Sequence, residues 1–331
     1  MTDLPQPPPT DEPTPKGLPM PTFTPREAAE MLGITPKVLN ASLKKETYTA
    51  EDVWDLRAKL NLYPPQVGPR KQLFLNFKGG TGKTSLSTSY AWRLAEMGYG
   101  VLLVDLDSQG HATKCLGFEG EDFEKTLLDV VVKKTPISQV IQKTPLPSLE
   151  LIPSNLTMST GDLALLPMAG REFKLRNALK EVDGHYDFII FDAPPSFGLL
   201  NLNALMAADD LIVPVLADFL SFHGLKLLFE TVQSLEEDLG HVLDHVYITV
   251  NAFNATFKLA KEALEALKTH YPEYLLPTVV RQCTRFAQAS SEGKPIFLFD
   301  RYSKGASDVQ GLIDQVLGRL AVTKQGEAKS A

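Results

Sequence analysis

Lys78-Gly79-Gly80-Thr81-Gly82-Lys83-Thr84 combine the residue types that hold a polyphosphate. Glycines let successive backbone N–H groups curl around phosphate oxygens with no Cβ in the way. Lys83 is placed to reach the β- and γ-phosphates, and the Thr84 hydroxyl to reach Mg²⁺. Ser85 completes the turn into the next element. An apolar run, 73–77, precedes the loop, and a helical pattern, 85–97, follows it. A helix start there adds unpaired N–H groups and the positive end of the helix dipole. This strand–loop–helix context outweighs the plainer reading of a tight turn that happens to carry Gly and Lys.

Acids at two further strand ends suit the same site. Asp105-Leu106-Asp107-Ser108-Gln109-Gly110 follows the apolar run 101–104, and Asp192 follows Phe188-Ile189-Ile190-Phe191. A Mg²⁺ ion bridging phosphates keeps several waters and needs one or two nearby carboxylates. By chemistry alone, either Asp105 or Asp107 could serve the metal or orient an attacking water. A single Asp at a strand end is more often a turn or cap residue. Three beside a phosphate loop reverse that judgement.

The elements that must position these groups alternate between strand and helix. Apolar runs at 149–153, 186–191, 211–215 and 246–250 have buried-strand length, with helical patterns at 222–235, 259–269 and 309–320. The alternation predicts an α/β domain over 70–320, a mostly parallel twisted sheet with helices on both faces. In such sheets ligands sit outside the carboxyl ends of the strands, where the loop and the acids fall.

Around this domain the composition shifts. Residues 1–21 hold eight prolines and few apolar side chains, which predicts a disordered tail acting as a spacer or a docking segment. Within 22–62, Thr24-Pro25-Arg26-Glu27 and Thr49-Ala50-Glu51-Asp52 read as helix starts, and Thr35-Pro36 as another. The segment resembles small MerR-like helix-turn-helix modules, with Lys37, Asn40, Ser42, Lys44 and Lys45 on its second helix. Either DNA contact or protein docking fits it. Residues 63–69 read as a linker, and 321–331 as a flexible tail without an apolar face.

The chain has 331 residues, 22% of them charged, and a net charge of −7. No apolar run approaches the ~20 residues of a membrane span, and no secretory signal pattern opens the chain. The only two cysteines, Cys115 and Cys283, are far apart, which suits a reduced, cytoplasmic setting.

Taken together, 78–84, 104–113, 186–196, 201–210 and the late motifs Gly293-Lys294-Pro295 and Lys304-Gly305-Ala306 resemble the ParA branch of the ParA/MinD family of P-loop ATPases. The likeness includes the additional lysine of a deviant Walker A loop, Lys78. It departs at Ser108, where the branch has proline, and at His111, where asparagine is common. The resemblance implies an ATPase using ATP and Mg²⁺, and two subunits sandwiching two nucleotides. It implies that Lys78 reaches the partner's phosphates and that Asp107 positions water. Asp105 and Asp192 then support the metal, and Asn251 is a candidate adenine contact.

The resemblance also implies that the ATP dimer binds DNA without sequence preference and associates with the nucleoid. The segment 258–304 carries eight basic and five acidic residues, so it is net positive in an acidic chain. Lys258, Lys261, Arg281, Arg285 and Lys304 are the candidate DNA contacts. The biological output stays open among three readings: segregation of plasmid or chromosome with a ParB-like partner, positioning of a protein cargo through an adaptor, and regulation through the N-terminal module. The tail lacks the basic amphipathic helix of membrane-docking relatives, so no membrane partner is expected.

Overall fold

The computed structural model describes residues 18–330; residues 1–17 of the proline-rich tail and Ala331 lie outside them, as do the side chains of 324–330. The N-terminal region runs β1 (Thr22–Phe23), α1 (Pro25–Leu32), α2 (Pro36–Ser42), β2 (Tyr48–Thr49) and α3 (Ala50–Leu60). The main domain begins with β3 (Arg70–Phe74), α4 (Lys83–Met97), β4 (Val101–Asp105), α5 (His111–Cys115), α6 (Leu127–Lys133) and β5 (Gln142–Lys143). It continues through β6 (Leu149–Ile152), α7 (Gly161–Leu165), α8 (Lys174–Leu179), β7 (Phe188–Asp192), α9 (Leu199–Ala207), β8 (Asp210–Leu216) and α10 (Leu220–Leu239). It ends with β9 (His245–Phe253), α11 (Lys258–His270), β10 (Leu275–Arg281), α12 (Thr284–Ser291), α13 (Ile296–Phe299) and α14 (Lys304–Ser330).

The eight-stranded sheet has the order β10-β9-β8-β3-β7-β4-β6-β5 and is parallel except where β5 pairs with β6. Successive strand residues point to opposite faces, and the two cores follow that parity. Phe74, Val101, Leu103, Phe188 and Ile190 join α4 and α14 on one face. Leu73, Leu102, Val104, Ile189 and Phe191 join α9 and α10 on the other. This is the mostly parallel α/β sheet the alternation predicts. The strand at 275–281 carries no clear signal because it is an edge strand with an exposed proline, Pro277.

The three N-terminal helix starts form as their residues predict. Thr24 with Glu27 and Thr49 with Asp52 make reciprocal capping boxes, and the Thr35 side chain caps α2. A two-stranded antiparallel ribbon, β1 with β2, accompanies the helices. The module does not stand apart. Its Leu39, Tyr48, Val53 and Leu56 belong to the same buried cluster as Trp92 and Tyr99 of the main domain. A unit this small is marginal alone, and the shared core supplies what it lacks. Arg57 donates to the carbonyls of Met31 (2.5 Å), Leu62 (2.7 Å) and Glu96 (3.0 Å), bolting α3 to the end of α4.

The 63–69 segment is docked: the Tyr99 hydroxyl donates to the Pro65 carbonyl at 3.1 Å. The last helix continues over 321–330. That stretch has no proline, and its Ala, Gln, Glu and Lys are good helix formers.

Candidate nucleotide site

β3 sits in the middle of the sheet, and the loop leaves its C-terminal end directly into α4. Gly80 (φ 73°) and Gly82 (φ 87°) adopt the left-handed conformation that side chains resist. A Cβ on Gly82 would meet Asn251 Nδ2 at 2.1 Å. Gly82 opens α4 without any side-chain cap, so the first helical N–H groups have no local acceptor. The Thr81 hydroxyl is buried with no partner among the described residues. Lys83 is buried, and among the described residues its Nζ hydrogen-bonds only to the Lys78 carbonyl, at 3.3 Å. Burial lowers the Lys83 pKa, while the charges of Asp192 and Asp107 oppose the shift. Open donors, an orphaned hydroxyl and a buried ammonium together form a cradle for an anion.

The acids converge on the same loop. Asp192 accepts from Thr84 Oγ1 (2.8 Å) and Ser87 Oγ (2.9 Å). Asp105 accepts from the Thr113 N–H (2.8 Å) and hydroxyl (2.7 Å) on one oxygen and from the Asp107 N–H (3.1 Å) on the other. Both of its oxygens are therefore engaged, and it acts first on the shape of the 105–113 loop. Asp107 accepts from the Gln109 N–H at 3.0 Å. Burial raises the pKa of both Asp105 and Asp192. Each hydroxyl bond pulls back, and the Asp192 charge pushes Asp105 further up. Among the described residues no three His, Cys, Asp or Glu side chains form a metal cage. The Thr84 hydroxyl backed by the Asp192 carboxylate fits the few oxygen donors that a Mg²⁺ ion keeping most of its waters would need.

Two residues beside the loop have partners within the chain. Asn251, the candidate adenine contact, donates to the Thr81 carbonyl at 2.8 Å and so braces the loop backbone. Lys78, expected to act across a dimer, pairs with Asp218 of its own chain at 2.7 Å. Sequence reasoning missed Ser87, Thr113 and Asp218. Ser87 lies one helical turn after Lys83, and Asp218 lies just past the end of β8. Face spacing and the strand-end rule could have found both.

The candidate DNA contacts gather at the C-terminal corner of the β9–β10 edge. Lys258 and Lys261 lie on the exposed start of α11, Arg281 ends β10, Arg285 lies on α12 and Lys304 opens α14. Two of them are already paired: Arg281 with Asp308 (2.7 Å) and Arg285 with Asp300 (3.0 Å). The partly exposed Arg285–Asp300 pair exchanges at little cost, whereas the buried Asp308 holds Arg281 by both its guanidinium and its backbone N–H.

A phosphate-binding loop on a central parallel strand, with strand-end acids facing its Thr, defines a P-loop nucleotide site. A family profile described as an AAA domain matches residues 70–245. The chain is 74% identical over 300 residues to the cell division protein PomZ of Myxococcus xanthus, covering 91% of this chain and 94% of that one. It is 36% identical to the sporulation initiation inhibitor protein Soj of Bacillus subtilis, covering 73% and 95%. Among solved structures, cobyrinic acid a,c-diamide synthase of Mycobacterium smegmatis with bound ATP analog and magnesium aligns with TM-score 0.64 at 28% identity, over 75% and 94% of the two chains. The chain belongs to the ParA/MinD family of P-loop ATPases, and it is an ATPase. Among the described residues, no helix is long and apolar enough to cross a membrane.

Proposed function

We propose that this chain is an ATP-switched positioning protein that places the cell-division site along the nucleoid. The observation that carries the assignment is the 74% identity over 300 residues with a cell division protein. Those aligned residues outnumber the ones from Arg70 to the C-terminus, so the likeness extends into the N-terminal helices. The partition-type relative ParA of Myxococcus xanthus is 32% identical and covers 74% of this chain.

In this reading Lys83 and the open N–H groups of the loop, 78–85, bind the phosphates of ATP. Thr84 holds Mg²⁺ with Asp192 behind it, and Asp105 fixes the loop that carries Asp107. The ion, when bound, neutralises charge on the phosphates. Asp107 orients the attacking water, and Asn251 lies close enough to the loop to meet the base. Two chains pair face to face, with Lys78 as a trans-acting cation toward the partner copy's phosphates. The paired form holds DNA through Lys258, Lys261, Arg281, Arg285 and Lys304, and hydrolysis stimulated by a cargo adaptor releases it.

Imaging division sites in a strain lacking the gene tests the assignment. Misplaced or missing division sites with normal plasmid and chromosome inheritance are expected. Normal division with defective DNA segregation would favour a partition role instead.

A further inference from the structure

We infer that Asp218 is a positioning residue that restrains Lys78 in the single chain. On this inference, entry into the ATP dimer exchanges the Asp218 carboxylate for the partner copy's phosphates. The inference rests on the dimer reading above and deepens it.

Both ends of Lys78 are held in place. Its N–H donates to Asn76 Oδ1 at 2.9 Å, and Asn76 is itself tied to the Pro214 carbonyl at 2.7 Å. Its Nζ donates to Asp218 Oδ2 at 2.7 Å. The other carboxylate oxygen accepts from the Ser221 N–H (2.8 Å) and hydroxyl (2.9 Å). Ser221 is buried at the start of α10, so it sets the direction of the carboxylate. Asp218 lies just past the C-terminal end of β8, at the same end of the sheet as the phosphate loop.

The lysine and aspartate side chains remain 30% and 38% exposed, so the pair can open without stranding a charge in the core. Phe219 and Leu220, next in the chain, are also exposed, at 55% and 73%. Ionic restraint and uncovered apolar surface thus lie side by side on one face. An ion pair this exposed shifts an equilibrium by roughly threefold. A dimer breaks two of them, which gives about tenfold on its dissociation constant.

The test uses the full chain with Mg²⁺ and a non-hydrolysable ATP analogue, followed by sedimentation. Asp218→Asn is expected to lower the dimer dissociation constant about tenfold, with Asp218→Glu restoring the wild-type value. Ser221→Ala is expected to shift it the same way by less. A structural role alone would not change amine chemistry, so the second readout is acylation of Lys78 in the nucleotide-free chain. It is expected to be faster in Asp218→Asn. An unchanged or weaker dimer in Asp218→Asn, with unchanged Lys78 acylation, overturns the inference. Wild type that binds the analogue but stays monomeric overturns the dimer reading, and this inference with it.

Discussion

The two ends of the central sheet both bury acids, and they bury them differently. At the N-terminal end, Asp210 accepts from Arg70 (Nε at 3.1 Å), Gln72 (2.9 Å) and His245 (2.9 Å). Arg70 also reaches Asp244 at 2.8 Å. At the C-terminal end, Asp105 and Asp192 have only hydroxyl and amide donors among the described residues, with Lys83 nearby. Burial pushes the Asp210 carboxyl up, but the bonds from His245 and Arg70 outweigh it and hold its pKa below the usual value. Burial wins at Asp105 and Asp192 and raises both. A buried acid already matched by a fixed cation is finished structure. One matched only by hydroxyls and amides still lacks a paired cation, and that lack marks the site.

Substitutions at the two ends should therefore separate stability from activity. The largest expected effect is on folding. Asp210→Ala removes the buried acceptor of Arg70, Gln72 and His245, leaves Arg70 only the exposed Asp244, and should cost about 3 kcal/mol in urea unfolding. The ATPase rate per folded molecule should stay unchanged. Asp107→Ala should do the opposite. It should lower turnover by about 10²-fold, measured as phosphate release, and trap the ATP-bound dimer, with an unchanged unfolding midpoint. Normal turnover in that variant would remove Asp107 from the mechanism.

Much of this contrast is legible in the sequence. Gly80, Gly82, Lys83 and Thr84 declare the loop because phosphate chemistry needs those types in that order. The apolar runs before Asp105 and Asp192 place the acids at strand ends. The N-terminal caps are legible because Thr24 and Thr49 carry their partners three residues on. What stays hidden is non-local. No local pattern shows that Lys78 meets Asp218, that Asn251 braces Thr81, or that Arg57 bolts α3 to α4. The N-terminal network is hidden for the same reason: Arg70, Asp210 and His245 meet only after three strands align.

Smaller effects follow at the DNA face and in pH dependence. Arg285→Glu should weaken binding of nonspecific duplex to the ATP-bound form about tenfold and flatten its salt dependence by roughly one to two units of log–log slope. Binding as tight as wild type would move the patch elsewhere. The acids at the two ends should also pull stability in opposite directions with pH. Asp210 has a lowered folded pKa, so its contribution is present above the ordinary carboxylate pKa and is lost as pH falls through the lower folded value. Asp105 and Asp192 have raised folded pKa values, so the native chain holds protons longer than the unfolded one. Nucleotide-free stability should fall as pH rises from the ordinary carboxylate range toward those raised values. Asp105→Asn should flatten that fall in thermal unfolding measured across pH, and an unaltered slope would contradict it.

The most direct test of the contrast between the two ends is thermal unfolding with and without saturating Mg–ATP in wild type, Lys83→Gln and Asp210→Asn. A ligand that binds only the folded chain at a hundred times its dissociation constant adds about 2.7 kcal/mol. Wild type and Asp210→Asn should both gain stability of that order, the latter from a lower starting point, and Lys83→Gln should gain none. A full gain in Lys83→Gln, or its loss in Asp210→Asn, would contradict the assignment of the nucleotide to the C-terminal end.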